Sequence, residues 1–202
     1  MAQEDNKIIF DQTQDNIGKW VKIYDNFMPM EKLAKLLQFC NSDVCKEHWI
    51  AGKVGDRGDG GKVKKETRVV DCLGLTNIAK SYTAVHYAWY MKSVVCKLIE
   101  KYVQDTGAQI FDFRVHDIEV LRYNVGGKYE PHIDASLTYP RRVSMIMLLN
   151  NDYEGGELYF PGVGEIKVAP NRAIVWPSNY VYIHGVKPIT KGTRYSIVSW
   201  LL

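Results

Sequence analysis

Hydrophobic positions along the 202 residues fall into two regimes. In the first half they recur at helical spacing. Met30 to Cys40 (MEKLAKLLQFC) sets Leu33, Leu36 and Leu37 on one face, the pattern of a short amphipathic helix. From Ile78 to Tyr102, positions Ala84, Ala88, Met91, Val95, Leu98 and Tyr102 step by 4, 3, 4, 3 and 4, which predicts one long helix with a single buried stripe. After Gly107 the pattern changes to short runs rich in Val, Ile, Tyr and Phe, broken by turn signals at Asn124 to Gly127, Asn150 to Asp152, Gly155 and Gly156, Gly162 to Gly164, and Pro170 with Asn171. Seven or eight strands are expected between Ile110 and Leu202. This gives an α+β domain, a sandwich or jelly roll with helices covering one sheet.

The length suits one domain, with residues 1–107 as helical support and 108–202 as the β core. No apolar run approaches the roughly 20 residues of a membrane span, and the start MAQEDNKIIF is acidic and polar where a signal peptide is basic and then apolar. No membrane partner and a cytoplasmic location are therefore expected. Cys40, Cys45, Cys72 and Cys96 show no paired spacing and read as free thiols. The net charge of +3 is far below that of a protein gripping phosphates, which argues against nucleic acid.

That excess is local. Residues 51–68 (AGKVGDRGDGGKVKKETR) carry six basic residues, including Arg57, Lys62 and Arg68, against three acidic ones, together with five of the sixteen glycines. This is the composition of a mobile surface loop. A lid closing over an extended substrate and a solvated insertion without a role both fit it.

Chemistry concentrates in the β half. His132 and Asp134 are two residues apart, so an extended chain projects both to one face. His184 follows 50 residues after Asp134 in another strand-like run. Two imidazoles and a carboxylate make the facial triad that leaves three positions of an octahedral ion open, a set suited to Fe(II). Chance alone supplies about 0.3 His-x-Asp pairs in a chain of this composition, so the pair needs support. Arg194 supplies some: it lies 10 residues after His184, shares a strand face with Ser196, and would join His184 in one barrel through hairpin-connected strands. A guanidinium buried beside a metal suits a dicarboxylate that chelates the ion at its other end. A surface cation on an edge strand is the plainer reading of Arg194.

LRYNVGGKYEPHIDAS, NNDYEGGELYFPG and HGVKPITKGTRYSIVSWL, in that order over residues 118–202, resemble the successive motifs of Fe(II)- and 2-oxoglutarate-dependent dioxygenases, in particular their prolyl 4-hydroxylase-like branch and its small phage or bacterial members. The resemblance implies a double-stranded β-helix with His132, Asp134 and His184 as iron ligands. It implies Arg194 on the distal carboxylate of 2-oxoglutarate, assisted by the Tyr123 hydroxyl, with Tyr129 a second candidate and Ser196 an added hydrogen bond. For both tyrosines, a core residue with a satisfied hydroxyl is the other reading. Fe(II), 2-oxoglutarate and O2 are the implied cofactors, with ascorbate as an accessory. The implied partner is a proline-containing peptide or protein, met by the 51–68 segment through Arg57, Lys62 and Arg68, in the host cytoplasm if the chain is phage-encoded. Collagen-type members usually carry Lys where Arg194 stands and Gly-Cys where this chain has Gly185 and Val186, which weakens the substrate assignment and leaves cofactor use intact. A nucleic-acid or small-substrate oxygenase ranks second, although no second arginine follows Arg194. A non-catalytic cupin-like binding module ranks third.

Overall fold

Period-two alternation builds two facing sheets in the computed structural model, which describes residues 9–10, 20–55, 61–78 and 80–202. In chain order come β1 (Ile9–Phe10), β2 (Lys22–Asp25), α1 (Met30–Cys40), the short α2 (Asp43–Lys46), β3 (Ile50–Ala51), β4 (Arg68–Val69), β5 (Asp71–Gly74) and the long α3 (Tyr82–Thr106). Then follow β6 (Val115–Tyr123), β7 (Lys128–His132), β8 (Val143–Leu148), β9 (Glu154–Gly155), β10 (Leu158–Phe160), β11 (Gly164–Ile166), β12 (Arg172–Pro177), β13 (His184–Val186), β14 (Ile189–Lys191) and β15 (Arg194–Leu201). The larger sheet runs β2-β12-β8-β15-β6-β5-β3 and the smaller β1-β11-β10-β13-β7-β4, while β14 and β9 pair separately. This is the expected jelly roll, with helices on one sheet.

The larger sheet is buried on both faces, and its strands sort their side chains accordingly. Val143, Met145 and Met147 of β8, Ala173 and Val175 of β12, and Ile197 and Leu201 of β15 face α1 and α3 in one core. The intervening Ile146, Leu148, Ile174, Trp176, Val198 and Trp200 face the smaller sheet in a second core. The second face also carries the polar groups described below.

Helix α3 buries the whole expected stripe from Ala84 to Tyr102, but lies four residues later than the periodicity suggested. Its start is set by Ser81, whose Oγ accepts from the Ala84 amide, and its end by Gly107 at φ 70°.

Residues 1–107, expected as helical support, supply α1 to α3 and also strands. Strands β2 to β5 come from this region and extend both sheets, Arg172 of β12 lying opposite Asp25 and Arg122 of β6 opposite Asp71. Ten strands follow α3 among the described residues, more than the seven or eight expected, because β9, β11 and β14, members of two short pairs (β9 with β14, β10 with β11), are too short to carry a period. The basic segment is corrected too. Its ends are strand, Val54 bridges Lys62, and Lys62 is exposed, while Arg57 lies outside the described residues. All four cysteines are free. No helix among the described residues is long and apolar enough to cross a membrane.

Two substitutions on α3 test which face stabilises the domain. Met91 is fully buried and Trp89 is 67% exposed. Met91→Ala is expected to lose about 2–5 kcal/mol in denaturant unfolding and Trp89→Ala to stay within about 0.5 kcal/mol.

Candidate active site

Strands β7 and β13 pair antiparallel with His132 directly opposite His184, so the register itself brings the two imidazoles to one place, ring centroids 4.4 Å apart. Each ring is fixed by the same local device: His132 Nδ1 bonds the Glu130 carbonyl at 2.9 Å and His184 Nδ1 the Tyr182 carbonyl at 3.0 Å. With Nδ1 as the donor in both, each Nε2 is left as an acceptor aimed inward.

Asp134 lies just past the end of β7, in a bend. Its Oδ1 stands 3.5 Å from His132 Nε2 and its Oδ2 3.5 Å from His184 Nε2. The candidate ligand atoms of His132, Asp134 and His184 all lie within 4.8 Å of one another, which one divalent ion can bridge. Ser144 of β8, on the facing sheet, donates to Asp134 Oδ2 at 2.6 Å and its Oγ also lies 2.7 Å from the Ser178 Oγ. Burial opposes ionisation of Asp134, but the two imidazoles beside it and the Ser144 hydroxyl hold its carboxyl well below the usual carboxylate range. Burial pushes the His184 imidazole down to about 4, against the opposing pull of Asp134, so the ring stays neutral and able to ligate at physiological pH.

The rings are walled by aromatics. Trp176 and Phe160 approach His184 at 4.8 and 6.1 Å between centroids. Tyr129 stacks on His132 at 3.6 Å and 17°, and Arg68 lies over the Tyr129 ring at 4.7 Å. Tyr129 therefore braces a candidate metal ligand, and it also lines the cavity. Arg68 also bonds the Lys53 carbonyl at 2.7 Å and the Cys72 Sγ at 3.6 Å. It is part of the cavity wall, which corrects its reading as a residue of an exposed loop.

Arg194 is completely buried. It opens β15 in the larger sheet, whereas His184 belongs to the smaller one, so the two are joined by sheets packed face to face and not by the single hairpin expected. Its Nη1 donates to Ser196 Oγ at 2.9 Å, and its Cζ lies 5.1 Å above the Tyr123 ring. Ser196 thus orients the arginine, and Tyr123 offers it a ring face. Burial drives the Tyr123 phenol up to about 12, with Arg68 and Arg194 opposing. Arg194 Nε and Nη2 are buried without any hydrogen-bond partner. An unpaired guanidinium in a protein interior is strongly unfavourable, so the side chain is built for an anion. A carboxylate of 2-oxoglutarate fits that requirement, as the triad fits Fe(II).

A cavity of about 360 Å³ connects these parts, lined by His132, Asp134, His184, Tyr123, Trp176 and Arg141 among others. Arg194 is not among the lining residues and lies against the ring of Tyr123, which is. Arg141 and Ser144 were missed in the sequence. Arg141 stacks on Trp200 at 3.7 Å, a contact nothing in its neighbourhood signals, whereas Ser144 is the lone polar residue of VSMIML, a usable sign of a buried hydrogen bond.

The family model of the 2OG-Fe(II) oxygenase superfamily matches residues 118–202. The chain is 37% identical over 97 residues to a PKHD-type hydroxylase of Gloeothece citriformis, covering 44% of this chain and 43% of that protein. It is 38% identical over 91 residues to a PKHD-type hydroxylase of Maricaulis maris, covering 42% and 41%. The matched stretch thus spans about two fifths of these curated relatives. Among solved structures, a prolyl hydroxylase of Trichoplax adhaerens, in complex with a peptide fragment of the hypoxia inducible factor oxygen degradation domain, superposes with a TM-score of 0.75 at 20% identity, covering 93% of this chain and 86% of that one. A Pseudomonas putida prolyl-4-hydroxylase gives 0.66 at 18%, covering 92% and 94%. At these identities the structural likeness establishes the fold. With the match over residues 118–202 it supports the resemblance to a prolyl 4-hydroxylase-like 2-oxoglutarate oxygenase.

Ser144 tests the bracing of the triad. Ser144→Ala is expected to weaken Mn(II) binding by about 10- to 100-fold in an anaerobic titration, as loss of a partner behind a metal ligand does. Unchanged affinity would remove Ser144 from the site.

Proposed function

We propose that this protein is an Fe(II)- and 2-oxoglutarate-dependent dioxygenase that hydroxylates a peptidyl substrate, with proline as the acceptor residue. One observation carries the reading: two imidazoles and a carboxylate within ligand distance of one another share a barrel interior with a buried, half-unpaired arginine. His132, Asp134 and His184 would hold the metal. When bound, ferrous iron with 2-oxoglutarate and dioxygen supplies the oxidising power for C–H hydroxylation, with succinate and carbon dioxide as co-products.

The chain's own residues bind, orient and exclude. The carbonyls of Glu130 and Tyr182 keep both histidines in the ligating tautomer. Ser144 fixes which carboxylate oxygen of Asp134 remains free. Trp176, Phe160 and Tyr129 pack the imidazoles and keep water from their flanks. Arg194, held by Ser196, takes the distal carboxylate of the cosubstrate. Support for a peptide acceptor comes from likeness to the Trichoplax enzyme, whose structure contains one, and to the prolyl-4-hydroxylase of Pseudomonas putida. The four free cysteines favour a reducing, cytoplasmic setting.

The test is anaerobic addition of Fe(II) and 2-oxoglutarate, followed by succinate release and mass spectrometry on proline-containing peptides, with and without ascorbate as reductant. The proposal expects the visible charge-transfer band of the chelate and one added oxygen on proline. A band without oxygen on any peptide would retain the cofactors and reject the acceptor. Asp134→Ala should abolish turnover. Arg194→Ala should raise the Kd for 2-oxoglutarate roughly 30-fold or more, and wild-type affinity in that variant would remove its assigned role.

A further inference from the structure

Strand β6 turns Glu119, Leu121 and Tyr123 toward the cavity, so a carboxylate stands in a wall otherwise set by apolar and aromatic side chains. Its level in the sheet follows from the register. Strand β15 lies between β6 and β8. On one side of it Ser144, which holds Asp134, is opposite Trp200, and on the other Glu119 is opposite Val198. Glu119 is thus one inward position from the level of the triad. Tyr123, the residue opposite Arg194, is four residues or roughly 13 Å further along β6. Glu119 therefore belongs to the reaction end of the cavity, apart from the end where Arg194 lies.

Nothing beside Glu119 in the sheet satisfies it. Its neighbours across the strands are Val198 and Gly74, which offer no donor side chain. Among the described residues no hydrogen bond or ion pair engages the carboxylate. Two arginines share the cavity wall, yet aromatic rings hold both elsewhere: Arg68 lies over Tyr129 at 4.7 Å and Arg141 over Trp200 at 3.7 Å. Asp117, which also lines the cavity, has His116 Nε2 at 3.0 Å from its own carboxylate. Burial, and then the charge of Asp117, pushes the Glu119 carboxyl up, and Arg68 and Arg141 oppose this only in part. A leucine or methionine would line the same wall without that cost, so packing does not explain the acid. A neutral amide from a ligand would satisfy one lone pair, whereas a cation supplies the donor and the opposite charge together.

We propose that Glu119 is a specificity-determining residue for the acceptor, binding a cationic group, an alkylammonium or guanidinium, that the substrate carries next to its proline. The inference rests on the peptide-hydroxylase reading above and adds the charge of the substrate which that site takes. The cation comes from a basic side chain or from a free amino terminus, two sources of one chemistry.

Calorimetric titration of the protein loaded anaerobically with Fe(II) and 2-oxoglutarate tests it. The probes are terminally blocked peptides with Lys, norleucine or Glu placed before or after a central proline, and a norleucine-proline peptide with a free amino terminus. The wild type should bind a cationic peptide at least about tenfold tighter than the blocked norleucine one, the effect of a hydrogen bond between charged groups. Whether lysine or the free terminus gives that gain identifies the source. Glu119→Gln should reduce the ratio to within about twofold. Glu119→Lys should turn the preference toward the Glu peptide, a gain that loss of structure does not produce. Equal wild-type binding of cationic and norleucine peptides, or a preference that Glu119→Gln retains, would overturn the inference and leave the dioxygenase reading intact. Protein that shows the charge-transfer band of the chelate but binds no peptide would overturn the peptide reading and the inference together.

Discussion

The pairing of β13 with β7 that sets His184 opposite His132 is the constraint on which the site depends. A slip of one residue would turn one imidazole to the other face of the sheet and separate the candidate ligands. The register is held from both faces of the pair: Val186 packs in the core between the sheets, while Gly185 passes so close to Tyr159 that a Cβ there would stand 2.8 Å from its ring. Asp134 completes the triad from beyond the strand end, where the backbone no longer alternates. That freedom has to be removed by another means, and Ser144 of the opposite sheet removes it. The hydrogen bond from Ser144 to Asp134 therefore joins the two sheets at the point where the chemistry is expected.

The inner face of the larger sheet serves two purposes. Ile146, Leu148, Ile174 and Val198 close it against the smaller sheet, and Ser144, Arg194 and Ser196 occupy positions of the same parity. A buried guanidinium with two unpaired nitrogens is unfavourable in the free protein. It persists because the outer face, packed on α1 and α3, supplies a separate and largely apolar core. The division lets the cavity wall carry unsatisfied polar groups that a single-core domain of this size would tolerate poorly.

Much of this was legible in the sequence where one side chain per step decides the outcome. The α3 stripe followed directly from helical spacing, and only its ends were displaced, since they depend on the Ser81 cap and the Gly107 turn. His132, Asp134 and His184 were legible because few residue types ligate iron. Strands β2 to β5 were not, because pieces of two to four residues carry no period and gain their pairing from distant edges. Arg68 read as a loop cation because composition cannot reveal its stack on Tyr129.

The most direct test of the central claim is anomalous diffraction from crystals soaked anaerobically with Mn(II) or Fe(II). The account predicts one strong peak at bonding distance from His132 Nε2, His184 Nε2 and an Asp134 carboxylate oxygen, with its remaining positions facing the cavity. A peak elsewhere in the molecule, or none at the triad at saturating metal, would contradict it.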